Sequence, residues 1–372
     1  MRELAEPTAT DGDTPQQPPL LVADDVRTYF RSARGLVRAV DGISLSLQRG
    51  RTLGIVGESG SGKSVLARSI MNILPQRSAI RAGGEIRIEG REIRNLPRSE
   101  MRKLWGLELA IVFQDPMTSL NPVIRVGDQL TESLRLRLGM RRGDAADRAL
   151  ELFRSVGIPA PQRRLREYPH QLSGGMRQRV TIAIALACEP KLLLADEPTT
   201  ALDVTVQRQI LDLLVARQRE RQMATILVTH DFGVVAGRVD DTVVMYAGRA
   251  MERAPTALLF TAARHPYTDA LLRSIPRLRN RPHTRLQAIS GRPPDLVDPP
   301  VGCRFAPRCR HAQPRCLTDD PPLVPAEAPG HEYACFYPVG TDEGAGALER
   351  NLRAGQTAAG MPITPDAAGG RP

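Results

Sequence analysis

Short apolar runs of strand length alternate along the chain with stretches whose apolar positions recur at helical spacing. LLVADDV from Leu20 reads as a strand, and LVRAVDGISLSLQRG as another, with Ile43, Leu45 and Leu47 alternating with Ser44 and Ser46 before a turn at Gly50. Leu53, Ile55 and Val56 form a compact apolar strand, and Val65 to Met71 continues with helix-forming residues. Gly83-Gly84 leads into EIRIEGREI, a hairpin whose turn falls at Glu89-Gly90. Leu109 to Phe113 is a buried strand ending in Gln114-Asp115-Pro116. Residues 125–157 are mainly helical: VGDQLTESLRLRL, a break at Gly143 with Asp144 as N-cap, then AADRALELFRSVG closed by Gly157 and Pro159. Thr181 to Ala187 reads as helix, and Lys191 to Ala195 and Thr225 to Thr229 as buried strands. This alternation predicts an α/β fold with a partly parallel sheet and a helix-rich insert.

Both ends depart from that texture. Residues 1–19 are rich in Pro, Thr and Gln without periodicity, residues 341–372 are Gly- and Ala-rich, and both read as disordered tails. After about Arg281 prolines crowd in, and four of the five cysteines follow, which suggests a loop-rich appendage organised by them.

The chain has 372 residues, 41% of them hydrophobic and 25% charged, enough for a large domain whose core needs no disulfides. No run of about 18 apolar residues is present, and the N-terminal stretch lacks an apolar signal region, so a cytoplasmic location is expected. A net charge of +10 raises nucleic acid or an anionic membrane surface as a partner. The arginines are scattered and aromatics few, so no base-stacking platform is visible and nucleic acid is not expected.

The chemistry concentrates at Gly57-Glu-Ser-Gly-Ser-Gly-Lys-Ser64, a G-x-x-x-x-G-K-[ST] loop between a strand and a helix. Gly57, Gly60 and Gly62 let the backbone curl so that its N–H groups face the β- and γ-phosphates of a nucleotide, with Ser59 and Ser61 in the same loop. Lys63 adds a point charge, and Ser64 offers its hydroxyl to Mg2+. Leu192 to Pro198 is an apolar strand delivering two carboxylates: Asp196 to hold magnesium through water, Glu197 to polarise an attacking water. In Leu172-Ser-Gly-Gly-Met176, Ser173, Gly174 and Gly175 sit just before a helix and can grip phosphate oxygens. One loop already serves one triphosphate, so this second segment suggests a nucleotide held by another subunit. Phe30 or Tyr29, where the chain leaves the first strand, could stack on adenine or be ordinary packing aromatics.

In this order the motifs resemble an ATP-binding cassette ATPase: the phosphate loop, Gln114 after a strand, the 172–176 signature, Asp196-Glu197, Ala201-Leu-Asp203 and His230 after the next strand. The resemblance implies a P-loop NTPase cassette with a mixed sheet core, an antiparallel β subdomain and a helical subdomain. It implies that Phe30 stacks adenine, Ser64 and Gln114 ligate magnesium, Asp203 joins a dimer interface, His230 contacts the γ-phosphate and Glu197 is the catalytic base. Two cassettes would sandwich two ATP molecules.

A finer resemblance, to the ATPase subunits of bacterial oligopeptide, dipeptide and nickel importers, rests on Phe113 to Pro122 (FQDPMTSLNP), Arg264-His-Pro-Tyr-Thr268 and Gly302 to Cys309. It implies a cassette over residues 20–255 with a helical subdomain at about 115–180, and an importer extension over 256–340. The function implied is an ATP-hydrolysing motor of a peptide importer, at the cytoplasmic face of the membrane. Its partners would be two membrane-spanning permease subunits, which meet the helical insert and the Gln114–Asn121 loop, a sister or identical cassette, and an extracytoplasmic substrate-binding protein reached through the permeases. A soluble cassette ATPase of nucleic acid or translation is the alternative; it would ordinarily carry long coiled coils or a second cassette, and neither is here.

Cys303, Cys309, Cys316 and Cys335 have the spacing C-x5-C-x6-C-x18-C. A cytoplasmic setting argues against disulfides, and structural zinc usually comes with close C-x2–4-C pairs. Four widely spaced thiolates suit an iron–sulfur cluster at least as well. The importer resemblance favours a 4Fe–4S cluster, with zinc second and free thiols third. Cys188, in an apolar helical run, reads as a small core residue.

Overall fold

A computed structural model describes residues 18–75, 77–200, 202–275 and 289–364. Most of the N-terminal tail, Ala201 and the last eight residues lie outside the described residues. The strands are β1 (Leu21–Ser32), β2 (Gly35–Leu47), β3 (Thr52–Val56), β4 (Ala79–Ile88), β5 (Arg91–Glu92), β6 (Leu109–Val112), β7 (Leu192–Asp196), β8 (Ala224–Thr229), β9 (Asp241–Tyr246), β10 (Arg249–Pro255), β11 (Val324–Pro325) and β12 (Glu332–Tyr333). They form an antiparallel sheet of order β2-β1-β4-β5 and an eight-stranded sheet of order β11-β12-β10-β9-β3-β8-β7-β6. In the large sheet β9, β3, β8, β7 and β6 run parallel, so their carboxyl ends share one edge. In such sheets ligands bind at that edge.

Every residue of β3, β7 and β8 is buried. Because side chains alternate across a strand, Leu193, Ala195 and Leu227 enter one core while Leu192, Leu194, Ile226 and Val228 enter the other. A sheet covered on both faces explains why these strands read as unbroken apolar runs.

Several local readings change. β1 runs well beyond LLVADDV, and Phe30 lies inside it, paired with Val37 and Ala79. Register shifts around Ala23–Arg27, with Asp25 at φ 44°, interrupt the alternation that marks a strand in sequence. The Glu89-Gly90 turn is as read, with φ of 49° and 79° at its two residues, the geometry that suits a two-residue hairpin. The second helix of the insert begins one turn early, at Arg142 with Arg141 as N-cap, so Gly143 is helical. Asp144 lies in the first turn instead, where its charge opposes the positive helix end.

The helical insert comprises Pro116–Ser119, Val126–Leu138, Arg142–Ser155 and Pro161–Arg164, with Gly174–Leu186 carrying it into the sheet domain. Leu130, Leu134, Ala145, Ala149 and Phe153 are fully buried between these helices.

The C-terminal region is less separate than an appendage. β12 pairs with β10 and extends the main sheet, and Cys303, Phe305, Cys309 and Cys316 belong to the same core as the helical insert. Glu252 of β10, wholly buried, accepts the backbone N–H groups of Arg264 (2.6 Å) and His265 (3.0 Å), and its carboxylate meets His331 Nε2 at 2.7 Å. One carboxylate thus ties the strand, the His265 turn and the chain before β12 together.

Residues 341–372 do not read correctly as a wholly disordered tail: Asp342–Ala354 is a helix. Thr341 caps it through its side chain, Asp342 and Glu343 occupy the first turn, and Gly355 ends it in the left-handed conformation. Its contact face is small and polar, which hid it. A Cβ at Gly344 would stand 1.9 Å from the Pro338 carbonyl oxygen, and buried Asn351 donates to Arg310 O at 2.7 Å.

Candidate active site

The phosphate loop leaves β3 at Gly57 and enters the helix Lys63–Ile70 through Gly62, whose φ is 99°. Its glycines have a reason the sequence does not show. A Cβ at Gly57 would lie 2.1 Å from Met245 O, and one at Gly62 would lie 2.1 Å from Ala39 O, so neighbouring backbone presses on the loop from outside. Lys63 is 4% exposed, and its Nζ donates to Gly57 O at 2.7 Å and Glu58 O at 2.9 Å. Burial lowers its pKa, opposed by the carboxylates of Glu197, Asp196 and Glu58. Ser61 Oγ is buried with no partner among the described residues, whereas Ser59 and Gly60 are exposed. A glycine-rich loop at a helix start, with an unpaired hydroxyl and an ammonium, suits a polyphosphate.

The acidic pair closes the site from β7. Ser64 Oγ donates to Asp196 Oδ1 at 2.9 Å. Asp196 is almost wholly buried, and desolvation raises its pKa against the Ser64 hydrogen bond. A buried carboxylate beside a hydroxyl is a fit pair for a hard divalent cation, which would relieve that desolvation. Glu197 takes φ 47°, a left-handed turn uncommon for a residue with a side chain, and donates its N–H to Val228 O at 3.0 Å. The turn separates two consecutive carboxylates: Asp196 faces Ser64, while Glu197 faces the next strand ends. There Glu197 accepts from Gln114 Nε2 (3.1 Å) and Thr200 Oγ1 (3.0 Å), and His230 Nδ1 stands 3.2 Å away. Thr200 was not among the residues singled out from sequence; its place three after Glu197 was the available signal.

The structure therefore brings Lys63, Ser64, Gln114, Asp196, Glu197 and His230 to one sheet edge. The other site residues stand apart. Ser173 caps the helix Gly174–Leu186, its hydroxyl accepting from Met176 N at 3.3 Å, and Ser173 and Gly174 are exposed. Among the described residues no hydrogen bond joins residues 173–175 to the phosphate loop of the same chain. Asp203 is exposed and caps the helix Val204–Arg221 by accepting from Val206 N at 2.9 Å. Tyr29 is committed to Asp41 through its hydroxyl at 2.5 Å, and Phe30 is half-buried.

Cys303, Cys309, Cys316 and Cys335 are free thiols lining one cavity with His265 and His311. Burial raises all four pKa values, that of Cys303 to about 11, and close thiols reinforce the shift at Cys309. Among the described residues no group of three or more His, Cys, Asp or Glu side chains is placed to hold a metal ion. Cys188 is half-buried against the core.

Comparisons with known proteins agree with this geometry. Residues 40–200 match the ABC transporter family, and residues 251–316 match the oligopeptide/dipeptide transporter C-terminal region. The chain is 48% identical to the oligopeptide transport ATP-binding protein OppD of Salmonella typhimurium over 89% of this chain and 97% of the relative. It is 45% identical to the dipeptide transport ATP-binding protein DppD of Escherichia coli over 86% of this chain and 97% of the relative. Among solved structures, a dimeric ATP-binding cassette in a post-hydrolysis state with ADP and phosphate is 27% identical, with a TM-score of 0.58, covering 63% of this chain and 98% of that one.

Proposed function

Because the chain belongs to the ATP-binding cassette transporter family and hydrolyses ATP as its members do, we propose that it is the motor subunit of a peptide importer. The observation that carries this reading is the convergence of Lys63, Ser64, Asp196 and Glu197 in a chain that also has the oligopeptide/dipeptide C-terminal region. Lys63 and the loop N–H groups hold the β- and γ-phosphates. Ser64, Asp196 and Gln114 would hold magnesium, which supplies charge neutralisation at the phosphate oxygens. Glu197, steadied by Gln114, Thr200 and His230, orients the attacking water and accepts its proton. The Ser173-Gly174-Gly175 helix start and Asp203, which stand apart from the phosphate loop of the same chain, serve the second nucleotide of a cassette dimer.

No helix among the described residues is long and apolar enough to cross a membrane, and separate permease subunits are the membrane partners of this reading. Phe113, Met117, Val123, Leu136 and Leu138 are exposed apolar side chains on the loop after β6 and the helix that follows, which a permease contact would cover. The test is reconstitution with the permeases and the substrate-binding protein in liposomes. Peptide uptake driven by ATP supports the reading; vigorous ATPase without any membrane partner favours a soluble cassette. Leu136→Asp and Met117→Asp are expected to lose most uptake while ATP binding stays unchanged, and normal uptake in both would remove this surface from the permease contact.

Because the four thiols line one cavity while no three of them are placed for a single ion among the described residues, we propose a 4Fe–4S cluster there, with zinc as the alternative. A single tetrahedral ion needs its sulfurs about 2.3 Å from one point, whereas a four-iron cluster takes one thiolate on each iron across a wider space. When bound, such a cluster supplies a cross-link or one-electron redox chemistry. After anaerobic purification, about four irons per chain are expected, falling to near zero in Cys309→Ser. Stoichiometric zinc without iron would replace the cluster by the metal ion.

A further inference from the structure

The segment Cys303-Arg-Phe-Ala-Pro-Arg-Cys309 reaches the phosphate loop through a residue that no motif assigns. Glu58, second in that loop, is held through its N–H, its carbonyl oxygen and its carboxylate. Its N–H donates to Tyr267 Oη at 2.8 Å, its carbonyl oxygen accepts from Lys63 Nζ at 2.9 Å, and its carboxylate takes both arms of Arg308 at 2.6 and 3.0 Å. Arg308 is 6% exposed, yet all its N–H groups are used: Nε bonds Ser290 O, Nη1 also bonds Tyr246 Oη, and Nη2 also bonds Ile289 O. Tyr246, Tyr267 and Phe305 pack ring on ring, with centroids 4.6 to 5.3 Å apart, behind that fork.

A buried guanidinium with every donor engaged cannot shift without leaving a desolvated charge. Its bidentate grip fixes the Glu58 carboxylate in position and orientation. Glu58 in turn sets where the loop leaves Gly57, and so where its N–H groups aim and where the Lys63 ammonium rests. The hydroxyl of Tyr267 removes the remaining freedom of the Glu58 peptide. Neither Arg308 nor Tyr267 is among the groups assigned to ATP or magnesium.

We propose that Arg308 and Tyr267 are positioning residues of the ATP site, which hold the phosphate loop through Glu58 in its nucleotide-receiving shape. The inference rests on ATP binding at that loop. It also gives the Arg264–Thr268 segment and the cysteine-bearing segment a shared task, since each supplies one of the two contacts.

The test is ATP titration and steady-state turnover of the full chain with its membrane partners, comparing wild type, Arg308→Gln, Glu58→Gln, their double variant, Arg308→Lys and Tyr267→Phe. Arg308→Gln and Glu58→Gln are each expected to weaken ATP binding roughly 5- to 30-fold, the lower part of the range for coupled sites. KM should rise while kcat at saturating ATP stays near wild type. The double variant should bind no worse than the weaker single one, because both remove one interaction. Arg308→Lys should recover only part of the loss, since an ammonium cannot form the fork. If Arg308→Gln does not fold, Tyr267→Phe, which removes only the hydroxyl, carries the test with an expected loss of about threefold, at the low end of a single hydrogen bond. Wild-type affinity in these variants, or strictly additive losses in the double variant, would overturn the proposal. A Lys63→Ala control separates the premise: if it binds ATP as well as wild type, the nucleotide site itself has been misplaced.

Discussion

Glu197→Gln is expected to lower ATP turnover by roughly 100- to 10,000-fold, the usual contribution of a positioned general base, while ATP binding survives. The amide keeps the shape of the side chain and can still accept from Gln114 or Thr200, which approach at 3.1 and 3.0 Å. It cannot take a proton from water. The phosphate loop, Lys63 and the Ser64–Asp196 pair do not depend on that proton, so nucleotide affinity should hold within a few fold. Trapped ATP should then accumulate in the proposed cassette dimer. Single-turnover measurement with radiolabelled ATP, alongside a binding titration, reads both quantities. Near-normal hydrolysis would mean that another group accepts the proton, and His230, 3.2 Å from Glu197, would be the first to examine.

The second large effect concerns stability. Glu252→Ala should destabilise the fold by about 3–5 kcal/mol, because it leaves the groups that face a buried carboxylate without their acceptor, at about 1–3 kcal/mol for each such group. The backbone N–H groups of Arg264 and His265 and the ring nitrogen of His331 all face that carboxylate at 2.6 to 3.0 Å. Alanine would leave these buried groups without their acceptor and open a gap between β10 and the Pro266–Arg273 helix. Urea unfolding at neutral pH measures the loss directly. Glu252→Gln should be milder, because one carboxamide oxygen can still accept. Equal stability of the alanine variant and wild type would show that the region unfolds separately from the cassette. The Tyr267 contact to the phosphate loop should loosen with it, so weaker ATP binding in this variant is expected as well.

The regions read most completely from the sequence are those whose chemistry is local. The loop from Gly57 to Ser64, the Asp196-Glu197 strand end and the Ser173-Gly-Gly segment before a helix each depend on residues a few positions apart, and backbone geometry leaves such motifs few alternatives. The strands β3, β7 and β8 were visible because burial on both faces demands an unbroken apolar run. Where a bulge broke the alternation, as in β1, or small residues replaced apolar ones, as in Asp342–Ala354, the same reading stopped short.

The sequence by itself determined the nucleotide chemistry and the family, because spacing within a motif is a property of the chain alone. Only the tertiary structure decided how that site is supported. Gly57 must be glycine because Met245 O lies where its Cβ would stand, Glu197 turns away from Asp196 on a left-handed backbone, and Arg308 grips Glu58 across 250 positions of sequence. Contacts between such distant residues leave no periodicity in either partner. They exist because burial of a charge or a close backbone approach has one satisfactory neighbour, and the folded chain alone supplies it.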